Sequence, residues 1–210
     1  EQELKKAIGT AAPHLSIYDL TVEPGTVFAW KKRNGELQLP DEDLSAAISR
    51  CTSTSLRKVG FARYEISNYA LPGHTSRHNR VYWSGAGWWG FGQGATSAPW
   101  GQRMSRPRTR DAYKSWVENQ ELHGLDPSLR FIQASPMPFD ELLIVGLRCR
   151  EGIDLMSLAK FWGWDQRQCE EHLPSLRLHW QEAIERGWLK NQEWRFQLSD
   201  PKGMEISNQV

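Results

Sequence analysis

The chain has little cysteine, no long hydrophobic run and almost no net charge, and each shortage narrows the classes of function open to it. Its three cysteines are Cys51, Cys149 and Cys169. They never stand in a CxxC or similar spacing, so no local zinc or iron–sulfur signature is present, and the odd, scattered count points to a reducing compartment. No stretch approaches the roughly 18 apolar residues that a membrane-spanning helix requires. The formal net charge is +1, with 17 basic against 13 acidic residues in 1–135 and 9 against 12 in 136–210. Neither part has the basic excess that favours binding to a phosphate backbone. Hydrolase signatures are missing too, since there is no GxSxG turn and no HExxH pair. No charged-then-apolar signal segment follows Glu1, and "EQELKKAIGTAAPHLSIYDL" reads as a helix end running into a strand, as in the middle of a fold.

What is present suits a soluble globular protein of one large or two modest domains, at 210 residues with 39% hydrophobic and 24% charged content. Residues 14–22, "HLSIYDLTV", form a β-branched and aromatic run of strand character, closed by the turn chemistry of "EPGT". "LPDEDLSAAISRC" opens with proline and three acids, and Leu44, Ala47, Ile48 and Cys51 recur at helical spacing before a stop at Gly60. "FARYEIS" follows as a second strand. Strand, helix, strand is the unit of an α/β layer or barrel. Residues 72–110 keep no period and are crowded with Gly, Pro, Ser, Arg and Trp. A helical pattern returns at 111–119, with Ala112, Tyr113, Trp116 and Val117 on one face. Prolines then place a domain boundary near 125–137. The last part predicts three helices and a hairpin, the order of a winged helix, with Leu173, Leu176, Trp180, Ala183 and Ile184 as the inner stripe of the third.

Three constellations could carry chemistry. "HNRVYW" at 78–83 holds an imidazole, a carboxamide and two large rings. His78 fits either an iron ligand or a hydrogen-bonded structural residue, and Pro72 and Gly73 argue against one helix covering both His74 and His78. "GWWGFGQGATS" at 87–97 is rich in glycine but lacks the Lys-Ser/Thr of a P-loop. Its glycines mean that the backbone comes close to something, a ligand or another stretch of chain. Trp83, Trp88, Trp89 and Trp100 lie within this region and suit either a planar ligand or a core. Glu23 and Glu65 lie on or beside the expected strands, with hydrogen bonding as their expected role. The acidic last domain argues against major-groove binding by its third helix, so packing or partner docking is its expected use.

The ordered series "HLSIYDLTVEPGTVF", "LPDED", "YEISNYALPGHTSRHNRVYW", "GQGA" and "GLRCREGIDL" resembles the oxygen-independent coproporphyrinogen III oxidase-like proteins, which use radical S-adenosylmethionine chemistry. Within that family it is more similar to the haem chaperone branch, HemW, than to the true oxidase branch, HemN. The resemblance implies an α/β fold: the C-terminal part of a partial (β/α)6 radical S-adenosylmethionine barrel in 1–130, then a small helical, winged-helix-like domain in 136–210. It implies haem binding by His78 with Asn79, Tyr82 and Trp83 beside it, and a place for Thr21 and Ala95 in an S-adenosylmethionine pocket. Haem and apo-haemoprotein acceptors are the implied partners, in the cytoplasm, without nucleic acid and with no catalytic residue assigned. The family holds a 4Fe-4S cluster through a CxxxCxxC motif, and this chain carries no such motif. The expectation is therefore a chain corresponding to the C-terminal half of the family. Relatives commonly have "GPGAHS" where Gln93 and Thr96 stand here. Part of a coproporphyrinogen III oxidase, or a winged-helix binding module, are the alternative readings.

Overall fold

A computed structural model describes residues 1–99, 103–123 and 137–207. In chain order its elements begin with α1 (Gln2–Gly9), β1 (His14–Ser16), α2 (Val27–Arg33), α3 (Glu42–Lys58), β2 (Ala62–Arg63), β3 (Asn68–Ala70), α4 (Arg77–Trp83), β4 (Thr96–Ser97), β5 (Met104–Ser105) and α5 (Arg110–His123). They continue with α6 (Phe139–Leu147), β6 (Ile153–Asp154), α7 (Leu155–Trp162), α8 (Gln166–His179), α9 (Gln181–Glu185), β7 (Leu189–Gln192), β8 (Arg195–Leu198) and α10 (Lys202–Glu205). The architecture is mixed α/β. Two compact units divide the described residues, one from Glu1–Thr75, Trp180–Asn191 and Gln197–Val210, the other from Ser76–His179 and Gln192–Phe196. Most of the boundary expected near 125–137, and Trp100, lie outside the described residues.

The first unit is organised around α3. Asp41 caps its start, its carboxylate accepting the Leu44 amide at 2.8 Å, and Gly60 at φ +89° turns the chain just past its end. Leu56, Phe61 and Tyr69 are buried together, with Leu4, Ile8, Leu15, Ile17 and Leu71 against them. Leu56 has no exposed surface, and truncating such a residue to alanine costs about 2–5 kcal/mol. The buried face of α3 is Thr52, Ser53 and Leu56. It is not the stripe expected from spacing, for Leu44 and Ile48 are 52% and 47% exposed. The reason lies in a polar anchor, where the Ser53 hydroxyl and Arg57 guanidinium donate to the two Asp200 carboxylate oxygens at 3.2 and 2.9 Å. That anchor fixes the helix with its small polar face inward.

The strands of this unit are short and antiparallel, in the order β1-β3-β2, with Leu15 opposite Tyr69 and Ala62 opposite Ala70. The long strand expected over 14–22 ends at Ser16, and the run after Arg63 reverses direction. Glu65 drives that reversal: it is 1% exposed, and one of its carboxylate oxygens accepts the Ser67 amide and the Asn68 side-chain N–H. The Arg63 guanidinium donates to the Ile66 carbonyl across the same turn. A side chain that satisfies its own turn makes β3 the antiparallel neighbour of both flanking strands. Burial raises the Tyr69 phenol above its usual value, and the nearby Arg63 charge and Ser53 hydrogen bond only partly offset this.

In the second unit, Met137, Leu142 and Val145 form a buried cluster, with Trp83, Leu158 and Trp162 against it. Asp154 joins strand to helix, its backbone register opposite Arg195 in the β6–β8 pair and its carboxylate accepting the Ser157 amide at 2.8 Å. The third helix expected in the last part is two, α8 and α9, broken at Trp180. Of its expected inner stripe, Leu173, Trp180 and Ala183 are buried. Among the described residues no helix is long and apolar enough to cross a membrane.

Candidate functional site

The stretch expected to be irregular contains a helix. Ser76 starts α4, its hydroxyl accepting the Asn79 amide at 3.2 Å, and Pro72 and Gly73 keep His74 outside it. Inside the helix His78 and Tyr82 stand one turn apart, so their rings meet edge to face with centroids 5.0 Å apart at 81°. Tyr82 in turn meets Trp88 at 4.9 Å and 67°. Trp83, on another side of α4, packs against the buried cluster and lies 5.8 Å beneath the Arg148 guanidinium. The four residues expected at the site therefore share one short helix. Trp83 anchors it, Tyr82 braces the imidazole, Asn79 is half-buried, and His78 is exposed.

His78 makes no hydrogen bond or ion pair among the described residues, and its one ring contact is Tyr82. An exposed imidazole with both nitrogens open to a partner, held by an aromatic edge, has the donor chemistry of an axial iron ligand. No group of three or more His, Cys, Asp or Glu side chains able to hold a bare metal ion occurs among the described residues.

Two arginines support this helix, Arg148 from "GLRCREGIDL" and Arg80 from within "HNRVYW" itself. Arg148 covers the Trp83 ring, and Arg80 pairs with Glu151. Partial burial pushes the Glu151 carboxyl up, but the Arg80 hydrogen bond and charge outweigh it and hold it below the usual carboxylate range.

The glycine-rich stretch folds back on its own chain. Trp88 and Ala98 exchange backbone hydrogen bonds at 3.3 and 2.8 Å, and the Gly90 amide donates to the Ser97 hydroxyl at 3.0 Å. A Cβ at Gly87 would stand 2.3 Å from the Pro99 carbonyl oxygen, and one at Gly90 2.3 Å from that of Thr96. For these two glycines the close neighbour is the backbone itself. Ala95 is half-buried in this hairpin of the second unit, its carbonyl accepting the Arg106 amide at 2.9 Å. The Thr96 hydroxyl bonds the Ser105 hydroxyl at 2.9 Å. Thr21 is exposed in the first unit, beyond β1 and outside any regular element.

No family model matches the chain. It is 35% identical to the haem chaperone HemW of Synechocystis sp. over 99% of its own length and 52% of that protein. It is 28% identical to HemW of Bacillus subtilis over its whole length and 53% of that protein. Against the mitochondrial radical S-adenosyl methionine domain-containing protein 1 of Mus musculus, identity is 34% over 72% of the chain and 36% of the relative. The solved structure of coproporphyrinogen III oxidase (HemN) from Escherichia coli, a radical SAM enzyme, shares the fold with a TM-score of 0.62. That match has 15% identity and covers 97% of this chain and 48% of that one. The chain spans about half the length of the HemW relatives that it matches end to end. By this similarity along its entire length, together with the shared fold, the chain belongs to the oxygen-independent coproporphyrinogen III oxidase-like family of radical S-adenosylmethionine proteins, in its HemW branch.

Proposed function

We propose that this chain is the haem-holding portion of a HemW-type haem chaperone, and that it passes haem to apo-haemoproteins in the cytoplasm. The observation that carries the reading is His78, an exposed imidazole without hydrogen-bond partners among the described residues, braced at 5.0 Å by Tyr82. His78 would hold the iron of the haem cargo, Tyr82 and Trp88 restrain the imidazole, and Trp83 and Asn79 fix the helix that carries it. A single protein ligand suits transfer, because the acceptor competes for one bond rather than two.

In this reading 1–130 is the C-terminal portion of a partial (β/α)6 barrel and 136–210 a winged-helix-like domain. The order helix, strand, helix, helix, helix, hairpin over α6 to β8, with α8 and α9 in place of one expected helix, supports the second assignment. Thr21 and Ala95 are the candidates for an S-adenosylmethionine pocket. The resemblance assigns a 4Fe-4S cluster to the full-length family, and no CxxxCxxC motif stands in these 210 residues. Transfer is the direct test. The haem-loaded chain, mixed with an apo-globin, is expected to lose its own Soret band as that of the holo-globin grows, faster than free haemin partitions. Haem retained by the chain, or equal rates with and without it, would remove the chaperone reading.

A further inference from the structure

A second feature of the same unit lies where the glycine-rich hairpin meets α5. Arg106 follows β5, and its amide is fixed to the Ala95 carbonyl at 2.9 Å, while the Gly94 amide donates to the Pro107 carbonyl at 2.8 Å. The β4–β5 register, Thr96 opposite Ser105 and Ser97 opposite Met104, thus presents Arg106 beside the loop from Gly90 to Ala95. The Arg106 guanidinium carbon lies 5.9 Å from the Phe91 ring centroid and 5.5 Å from that of Trp116, which stacks on Tyr113 at 5.9 Å and 20°. One guanidinium nitrogen, Nη1, is shielded from water and has no hydrogen-bond acceptor. A buried donor without an acceptor is costly to leave so, and a carboxylate is the partner that guanidinium geometry fits best. Phe91 is 86% exposed, an apolar ring set against a cation with nothing of the fold over most of it. Arg108 and Arg110 are exposed alongside, and no acid interrupts 103–110.

We infer that Phe91 and Arg106 form a binding site for a planar, apolar ring bearing carboxylates, the ring lying on Phe91 and a carboxylate on the Arg106 guanidinium. The inference rests on the tetrapyrrole reading for the choice of ligand, and assigns to this site the porphyrin ring and its propionates rather than the iron. Ring and carboxylate recognition of this kind does not need a metal. A site formed by one exposed aromatic and one half-buried arginine also releases its ligand readily, since most of the contact surface stays open to water.

Iron-free protoporphyrin IX and its dimethyl ester, titrated into the 210-residue chain and followed by porphyrin fluorescence, separate the two sites. The wild-type chain is expected to bind the free acid at least about tenfold more tightly than the ester, as loss of a charge-assisted carboxylate contact requires. Phe91→Ala is expected to weaken both ligands several-fold, and Arg106→Gln to bind acid and ester alike. Equal binding of acid and ester by the wild-type chain, or an unchanged affinity in Phe91→Ala, would overturn the site. Neither measurement depends on an Arg106 variant that folds. Failure here would leave haemin binding through His78 standing, and failure of the His78 assignment would leave this result intact.

Discussion

At the scale of single residues, the glycines of "GWWGFGQGATS" show how a motif of ligand-loop appearance resolves into packing. Gly90→Ala places a methyl 2.3 Å from the Thr96 carbonyl oxygen, inside a backbone pairing that has no room to shift. It is expected to cost about 1–3 kcal/mol, the range for overpacking. Gly9, a helical residue with nothing within 4 Å of its Cβ position, is the matched control, and Gly9→Ala is expected to be neutral or to stabilise by up to about 1 kcal/mol. Urea denaturation of the two variants checks both signs. An alanine tolerated at residue 90 would mean that the hairpin from Trp88 to Ala98 is wrongly described. The sequence showed that the backbone must approach something there. It could not say what, because Pro99 and Thr96 come into range only once the hairpin closes.

Elements differ in how much of themselves they announce. The helix from Glu42 was legible from its Asp41 cap and its Gly60 stop, since both act within a few residues. Its inward face was not legible, because Asp200 lies more than 140 positions away and draws Ser53 and Arg57 toward itself against the apolar spacing of Leu44 and Ile48. The turn at Glu65 is a similar case, where side-chain hydrogen bonds fold the run after Arg63 back as β3, antiparallel to both β1 and β2. Helix α4 was not legible, because seven residues are too few for a period to show. Caps also set pH behaviour. The Ser157 amide holds the Asp154 carboxyl below its usual value, against a smaller opposing effect of burial. A depressed folded value means that the stabilisation is present above the unfolded value near 4 and is lost as pH falls through the folded one. Asp154→Ala is therefore expected to cost about 1 kcal/mol at pH 7 and progressively less in acid. A cost that stays constant from pH 7 to pH 3 would show that the carboxylate does not act as a charged cap.

At the scale of the whole molecule, sequence motifs and fold lead to the same family, and His78 on α4 is the residue we propose to meet the ligand. The two proposals concern physically different contacts, an imidazole for the iron and a ring-and-guanidinium site for the porphyrin. The α4 contact is the central one. Haemin titrated into the 210-residue chain and its His78→Ala variant, followed through the Soret band, tests it most directly. A shifted Soret band in the wild-type chain, lost in the variant together with about tenfold or more of the affinity, is the expected result. The same band and the same affinity in both proteins would contradict it.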